Sequence, residues 1–107
     1  MHTELSEAAA ADSLAALGHP VRLRIFRLLV RAGEDGCNVG EITRRLELPA
    51  STLAHHLHTL VSAGLVRQQR HGREIISRAD YAAVDALTEF LTAECCADAK
   101  RSGSEVA

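Results

Sequence analysis

The sequence has no tryptophan, one tyrosine and two phenylalanines among its 107 residues. So thin an aromatic supply excludes a stacking platform for single-stranded nucleic acid, which needs flat side chains under successive bases. No apolar run approaches the roughly 18 residues that span a bilayer, so no membrane partner is expected. The first eleven residues carry Glu4 and Glu7 and no basic residue, unlike the charged start of an export signal. Three cysteines do not make a disulfide framework. Without export they read as free or ligating thiols in a reducing cytoplasm. A chain this long forms one domain with one modest core. Little of it is left over for a substrate pocket, so an enzyme is not expected. Internal repeats are missing, and the only biased tract is the alanine run at 8–11.

What is present is segregated charge. Residues 20–78 hold ten arginines against five acids. The stretch before them holds three acids and no lysine or arginine. The stretch after them holds six acids against Lys100 and Arg101. A basic middle between acidic ends fits a body that faces a polyanion.

The pattern along the chain predicts mainly helix. Alanine and leucine dominate residues 4–17, and Gly18 ends that helix. Pro20 opens a second helix, in which Val21, Ile25, Leu28 and Leu29 recur at helical spacing and Arg24, Arg27 and Arg31 share the other face. Gly33 to Gly36 reads as a loop. A short helix over 39–47 ends at Leu48-Pro49. The next, capped by Ser51, runs to about Ala63 and stops at Gly64. Two short helices so closely spaced form a helix-turn-helix. Residues 65–70 and 73–78 read as a two-stranded hairpin around His71-Gly72. Asp80 caps a last helix over 81–96, with Val84, Leu87, Leu91 and Cys95 on one stripe. The domain is expected over residues 1–97 and a disordered polar tail over 98–107. The fold class is therefore a winged helix-turn-helix, mainly α, with extra helices at both ends.

The second helix of such a motif lies in the major groove of double-stranded DNA. Helical projection of residues 51–62 puts Leu53, Leu57, Leu60 and Val61 inward. Ser51, Thr52, His55, His58, Thr59 and Ser62 face outward, as hydrogen-bonding side chains suited to bases and phosphates. His56 falls beside the apolar stripe and is expected to be partly buried and structural. The wing adds Arg67, Arg70, Arg73 and Arg78, with His71 near its tip and Glu74 as its one acid. Arginine there suits backbone phosphate or the minor groove.

These strings resemble the ArsR/SmtB family of bacterial metal-responsive repressors. Leu17-Gly18-His19-Pro20-Val21-Arg22-Leu23-Arg24-Ile25 is similar to the family's opening of its second helix. Ser51-Thr52-Leu53-Ala54-His55-His56-Leu57, then Ala63-Gly64-Leu65-Val66, resembles its recognition helix and the entry to its wing. The likeness covers residues 14–96. It implies a homodimer paired through the first and last helices, bound to a palindromic operator and released by an inducer.

The inducer chemistry turns on Cys37, Cys95 and Cys96. Thiolates favour soft ions. Adjacent thiols suit one pyramidal trivalent arsenic or antimony, whereas tetrahedral zinc wants four ligands at other spacings. Arsenic sensors of the family with a Cys-Val-Cys motif place it where this chain has Cys37-Asn38-Val39. Zinc sensors carry histidines on the last helix, which has none here. A further subgroup ends that helix with a cysteine pair, which Cys95 and Cys96 match, and adds a third cysteine that this tail lacks. Cys37 from either subunit, a small thiol or solvent could complete the site. A monomethylated trivalent arsenical would need only the pair. No organic cofactor is implied. Two other readings stand beside this one. Cys95 is a small apolar residue that could simply be buried, and a Cys37 link to the pair would make a redox or persulfide sensor. A thiol enzyme such as an arsenate reductase would need an anion-binding loop at Cys37 that the sequence does not show.

Overall fold

The computed structural model describes residues 5–100. Residue 4 of the expected first helix and positions 101–107 of the expected tail lie outside the described residues. The architecture is five helices and a three-stranded antiparallel sheet.

Helix α1 (Glu7–Leu17) starts at Ser6, whose hydroxyl accepts from the Ala9 amide at 3.0 Å. His19 caps α2 (Pro20–Ala32), its Nδ1 accepting from the Val21 amide at 3.1 Å. Pro20 sits at the first turn, where its missing N–H costs no helical bond. A turn of 3₁₀ helix, Gly33–Asp35, leads through Gly36 into β1 (Cys37–Asn38). Helix α3 (Val39–Leu46) follows, closed at its start by a reciprocal cap. Asn38 Oδ1 accepts from the Glu41 amide and Glu41 Oε1 from the Asn38 amide, both at 2.8 Å.

Helix α4 (Ala50–Ser62) begins one residue before the expected cap. Pro49, extended at φ −63° and ψ 148°, occupies the cap position and no side chain bonds there. Its carbonyl accepts the first helical bond, from Leu53, at 3.0 Å. Ser51 is thus inside the helix and exposed, not a cap.

Strands β2 (Val66–His71) and β3 (Glu74–Ala79) form the wing hairpin. His71 pairs with Glu74, so the loop is Gly72-Arg73, one residue later than expected. Gly72 has φ +63° while Arg73 does not have a positive φ. That is the pattern of a tight hairpin turn with glycine at its first central position. The wing is also wider than two strands. Cys37 pairs with Ser77 and Asn38 with Ile76, giving the order β1-β3-β2. Two residues are too short a run to show alternation, so this strand left no trace in the sequence pattern.

Helix α5 (Tyr81–Thr92) is capped by Asp80, whose Oδ1 accepts from the Ala83 amide at 3.1 Å. It stops short of the expected residue 96. Leu87 is its one buried residue, and Leu91 is 55 % exposed. Beyond Leu87 the apolar stripe meets nothing within one chain that would hold a further turn. Ala93 leaves the helical region and Glu94 turns left-handed at φ 64°.

The core joins α2, α3, α4 and the wing. Ile25, Leu29, Ile42, Leu53, Leu60 and Leu65 are completely buried. Each such side chain contributes roughly 1.5–3 kcal/mol. The leucines of α4 among them fix which side of that helix turns outward. Among the described residues no helix is long and apolar enough to cross a membrane.

Candidate nucleic-acid interface and thiol pair

With Leu53, Leu57 and Leu60 locked in the core, α4 turns Ser51, His55 and His58 to solvent. Thr52 and Thr59 lie half-buried at the margins of that face. Thr59 Oγ1 reaches the His55 carbonyl at 3.4 Å, and Ser62 Oγ lies 3.5 Å from His58 Nε2. His56 is 8 % exposed and points the other way, into the body, as its position beside the apolar stripe indicated.

The four arginines of the wing divide by function. Arg70 and Arg73, with His71, stand exposed around the hairpin tip. Arg67 lies at the base of the hairpin opposite Arg78, with its Nε 3.7 Å from Asp80 Oδ2. Such a surface pair stabilises by about 1 kcal/mol at most, so it restrains the side chain weakly. Arg78 is a brace. Its Nε donates to the Glu34 carbonyl at 2.6 Å and its Nη1 to Gln69 Oε1 at 2.8 Å. It ties the 3₁₀ turn to both wing strands.

Asn38, which the helical and strand patterns do not single out, joins the two halves of this surface. Its Nδ2 donates to Glu74 Oε2 at 3.0 Å while its Oδ1 caps α3. Its spacing to Glu41 is a capping-box signature and was the available signal. The one acid of the wing is thereby tied to the start of α3.

The three thiols occupy opposite environments. Cys37 is buried in β1, 4 % exposed. Burial, then the nearby Glu41 carboxylate, push its thiol up from the ordinary value, while Arg45 opposes them. Cys95 and Cys96 lie in the turns after α5, both exposed, with their Sγ atoms 3.4 Å apart. Within one chain Cys95 therefore does not continue the buried stripe. Cys96 holds a left-handed φ of 64°. Among the described residues of one chain, no three Cys, His, Asp or Glu side chains gather as a metal site.

A short helix turned outward beside an arginine-tipped hairpin defines a winged helix-turn-helix DNA-binding regulator. A family model described as a helix-turn-helix domain matches residues 17–69. The HTH-type transcriptional regulator YgaV of Escherichia coli is 36 % identical over 87 residues, 81 % of this chain and 86 % of that protein. Among solved structures, HlyU of Vibrio cholerae superposes at a TM-score of 0.68 with 32 % identity, covering 88 % of this chain and 99 % of that one. An ArsR-like transcriptional regulator from Rhodococcus matches at a TM-score of 0.68 with 30 % identity, over 78 % of this chain and 76 % of its own. The chain belongs to the ArsR/SmtB family of winged helix-turn-helix transcriptional regulators. These relatives are regulators and not enzymes, which closes the thiol-enzyme reading.

Proposed function

We propose that this chain is a homodimeric repressor that leaves its operator when a trivalent arsenical binds the Cys95–Cys96 pair. The observation that carries the reading is the pair itself: two exposed thiols, 3.4 Å apart, just beyond the last helix. Adjacent Cα atoms lie about 3.8 Å apart, below the roughly 4.4–6.8 Å that ordinary disulfides need. The pair therefore favours a soft ion shared by two sulfurs over an internal disulfide. Arsenic and antimony are such ions. A similar solved structure, the winged helix-turn-helix domain of Mb0332 from Mycobacterium bovis, is homodimeric, with 28 % identity and a TM-score of 0.65. Leu14 on α1 and Phe90 and Leu91 on α5 are exposed, and they suit pairing through those helices.

The exchange is balanced without any oxidant. Each thiol gives its proton to a hydroxyl on arsenic, which leaves as water, and two As–S bonds replace two As–O bonds. Cys37 offers little as a third ligand within the chain, because it is buried and its thiol resists ionisation. Two sulfurs suffice for a monomethylated trivalent arsenical, so that species is the best-matched inducer, ahead of arsenite and antimonite. Bound ligand would recast the turns at 93–98 and alter how α5 meets its partner, changing the spacing of the two recognition helices. The coupling is of the usual allosteric size, about 1–3 kcal/mol.

The test is fluorescence anisotropy of a labelled duplex carrying the promoter of the chain's own gene. Reduced protein is titrated with methylarsenite, arsenite, antimonite, zinc and an oxidised thiol. Release by the trivalent metalloids, abolished in the double variant Cys95→Ser, Cys96→Ser, supports the reading. Release by arsenite that survives the double substitution overturns the site. Release by oxidant alone replaces it with a redox or persulfide sensor in which Cys37 takes part.

A further inference from the structure

His56 belongs to the recognition helix but not to its DNA face. It packs against the start of α2, where three nitrogen-bearing side chains meet. The Arg22 guanidinium donates from Nε to the Ala16 carbonyl at 2.6 Å and lies, through Nη1, 3.3 Å from His56 Nδ1. The His19 ring stands 4.6 Å from the His56 ring, centroid to centroid, tilted by 48°. His55 is 5.4 Å away on the same helix. One guanidinium therefore bridges the end of α1 to α4, with the His19 ring tilted against the His56 ring.

The donor chemistry fixes the protonation. A guanidinium carries only donors, so His56 Nδ1 must accept and its ring is neutral, with the proton on Nε2. His19 Nδ1 accepts from the Val21 amide. A second proton on His56 would go to Nδ1, the atom already committed. It would break the bond to Arg22 and set two cations side by side.

The surrounding charges oppose that proton. The groups acting on the His56 charge are His19 from the α1–α2 junction, Arg22 from α2 and His55 from α4. Each of the three disfavours a positive charge on His56. The residue that α1 brings to the cluster, Ala16, contributes a carbonyl, and that is occupied by Arg22.

We propose that Arg22, His19 and His56 form a proton-sensitive latch that positions the recognition helix, so that operator affinity falls when His56 takes up a proton. Burial, foremost, with the three neighbours after it, lowers the His56 pKa from the ordinary 6.5. The latch is therefore closed at neutral pH and opens as pH falls through that lowered value. His56 lies off the outward face of α4 and acts through the seating of that helix.

The test compares the full-length chain with its His56→Asn variant, whose amide oxygen can accept from Arg22 without titrating. Binding to the labelled promoter duplex is followed from about pH 8 to about pH 5, the range in which histidine ionises. Each protein is normalised to its own affinity at the alkaline end. The exposed His55, His58 and His71 are common to both and cancel. The wild type is expected to lose up to roughly tenfold more affinity per protomer than the variant for each pH unit below the His56 pKa. Parallel curves overturn the proposal, and so does an acid loss that is steeper in the variant than in the wild type. If His56→Asn fails to fold, the His56 ring is titrated by NMR in the wild type, free and bound to the duplex. A His56 pKa lower in the complex supports the latch, and an unchanged pKa overturns it.

Discussion

Asn38 and Glu74 are hydrogen-bonded across the seam between the helix-turn-helix and the wing, Nδ2 to Oε2 at 3.0 Å. The same asparagine caps α3. Removing it takes away a cap and a cross-link together. Asn38→Ala is expected to cost about 1–2 kcal/mol of stability, the usual size of a missing cap. Asn38→Asp keeps the cap oxygen but sets a carboxylate against Glu74, so it should hold stability better at acid pH than at neutral pH. Urea unfolding of both variants at two pH values checks this.

Gly36 lies where the chain enters β1, with φ +66°. A Cβ there would meet the Ser77 carbonyl oxygen at 2.6 Å and Ile76 Cγ2 at 2.7 Å. The oxygen belongs to backbone in the middle of β3 and cannot swing aside. Gly36→Ala combines this clash with a backbone conformation, φ +66° and ψ −168°, that is essentially confined to glycine and costs roughly 1–3 kcal/mol in a residue with a Cβ. Calorimetry should show a lowered midpoint. Gly33→Ala is the control, because its added Cβ meets nothing within 4 Å although φ is +69°. It should lose only the conformational part.

At the tip of the wing, Arg70 and Arg73 are exposed, unlike Arg78 with its two structural hydrogen bonds. If they neutralise phosphates, each alanine substitution should weaken binding across sequences alike. The slope of log affinity against log salt should shrink by about 1 for each phosphate that is no longer neutralised. Arg78→Ala should instead lower stability, because it unties the 3₁₀ turn from the wing. Anisotropy at several salt concentrations, paired with thermal unfolding, separates the two effects. An unchanged salt slope in Arg70→Ala and Arg73→Ala would remove the wing tip from the interface.

The helices are legible in the sequence because their signals are local and repeated. Pro20 after a capping histidine, Asp80 before α5 and the leucine spacing of α4 each name an element without help from the rest of the chain. The outward face of α4 follows from the same spacing. What stays hidden depends on meetings between distant segments. Strand β1 exists because Cys37 and Asn38 meet Ser77 and Ile76. The brace at Arg78 depends on a carbonyl at position 34. The end of α5 escapes the pattern because apolar spacing persists past Leu87, although within one chain Leu91 stays exposed. The bond from Arg22 to His56 crosses 34 positions, and neither residue type marks it.

The thiols should separate by reactivity. Cys95 and Cys96 are exposed, and Cys37 is buried with its thiol pushed up, so less of it is thiolate at a given pH. The thiolate is the nucleophile. In native reduced protein a disulfide reagent should modify two thiols quickly and the third only on unfolding. The doubly substituted Cys95→Ser, Cys96→Ser protein should lose the fast phase entirely. A fast phase that survives it would place a reactive thiol at Cys37 and revive that residue as a ligand or redox partner.

Folding stability should also carry the signature of His56. Its pKa is lowered in the folded protein relative to the ordinary 6.5 of the unfolded chain. Between the two values the unfolded chain binds more protons, and stability rises with pH wherever that is so. The contribution is therefore fully present above the unfolded pKa. It drains away as pH falls from there to the folded pKa, and then levels. Arg22 shares the same bond, so Arg22→Ala should weaken the structure at neutral pH and flatten part of this slope by removing one cation from beside the ring. Urea midpoints measured at half-unit steps through the histidine range, for wild type, His56→Asn and Arg22→Ala, check the sign. A wild-type midpoint that rises on acidification would mean that the protonated imidazole is the favoured form. The acceptor role assigned to Nδ1 would then be wrong.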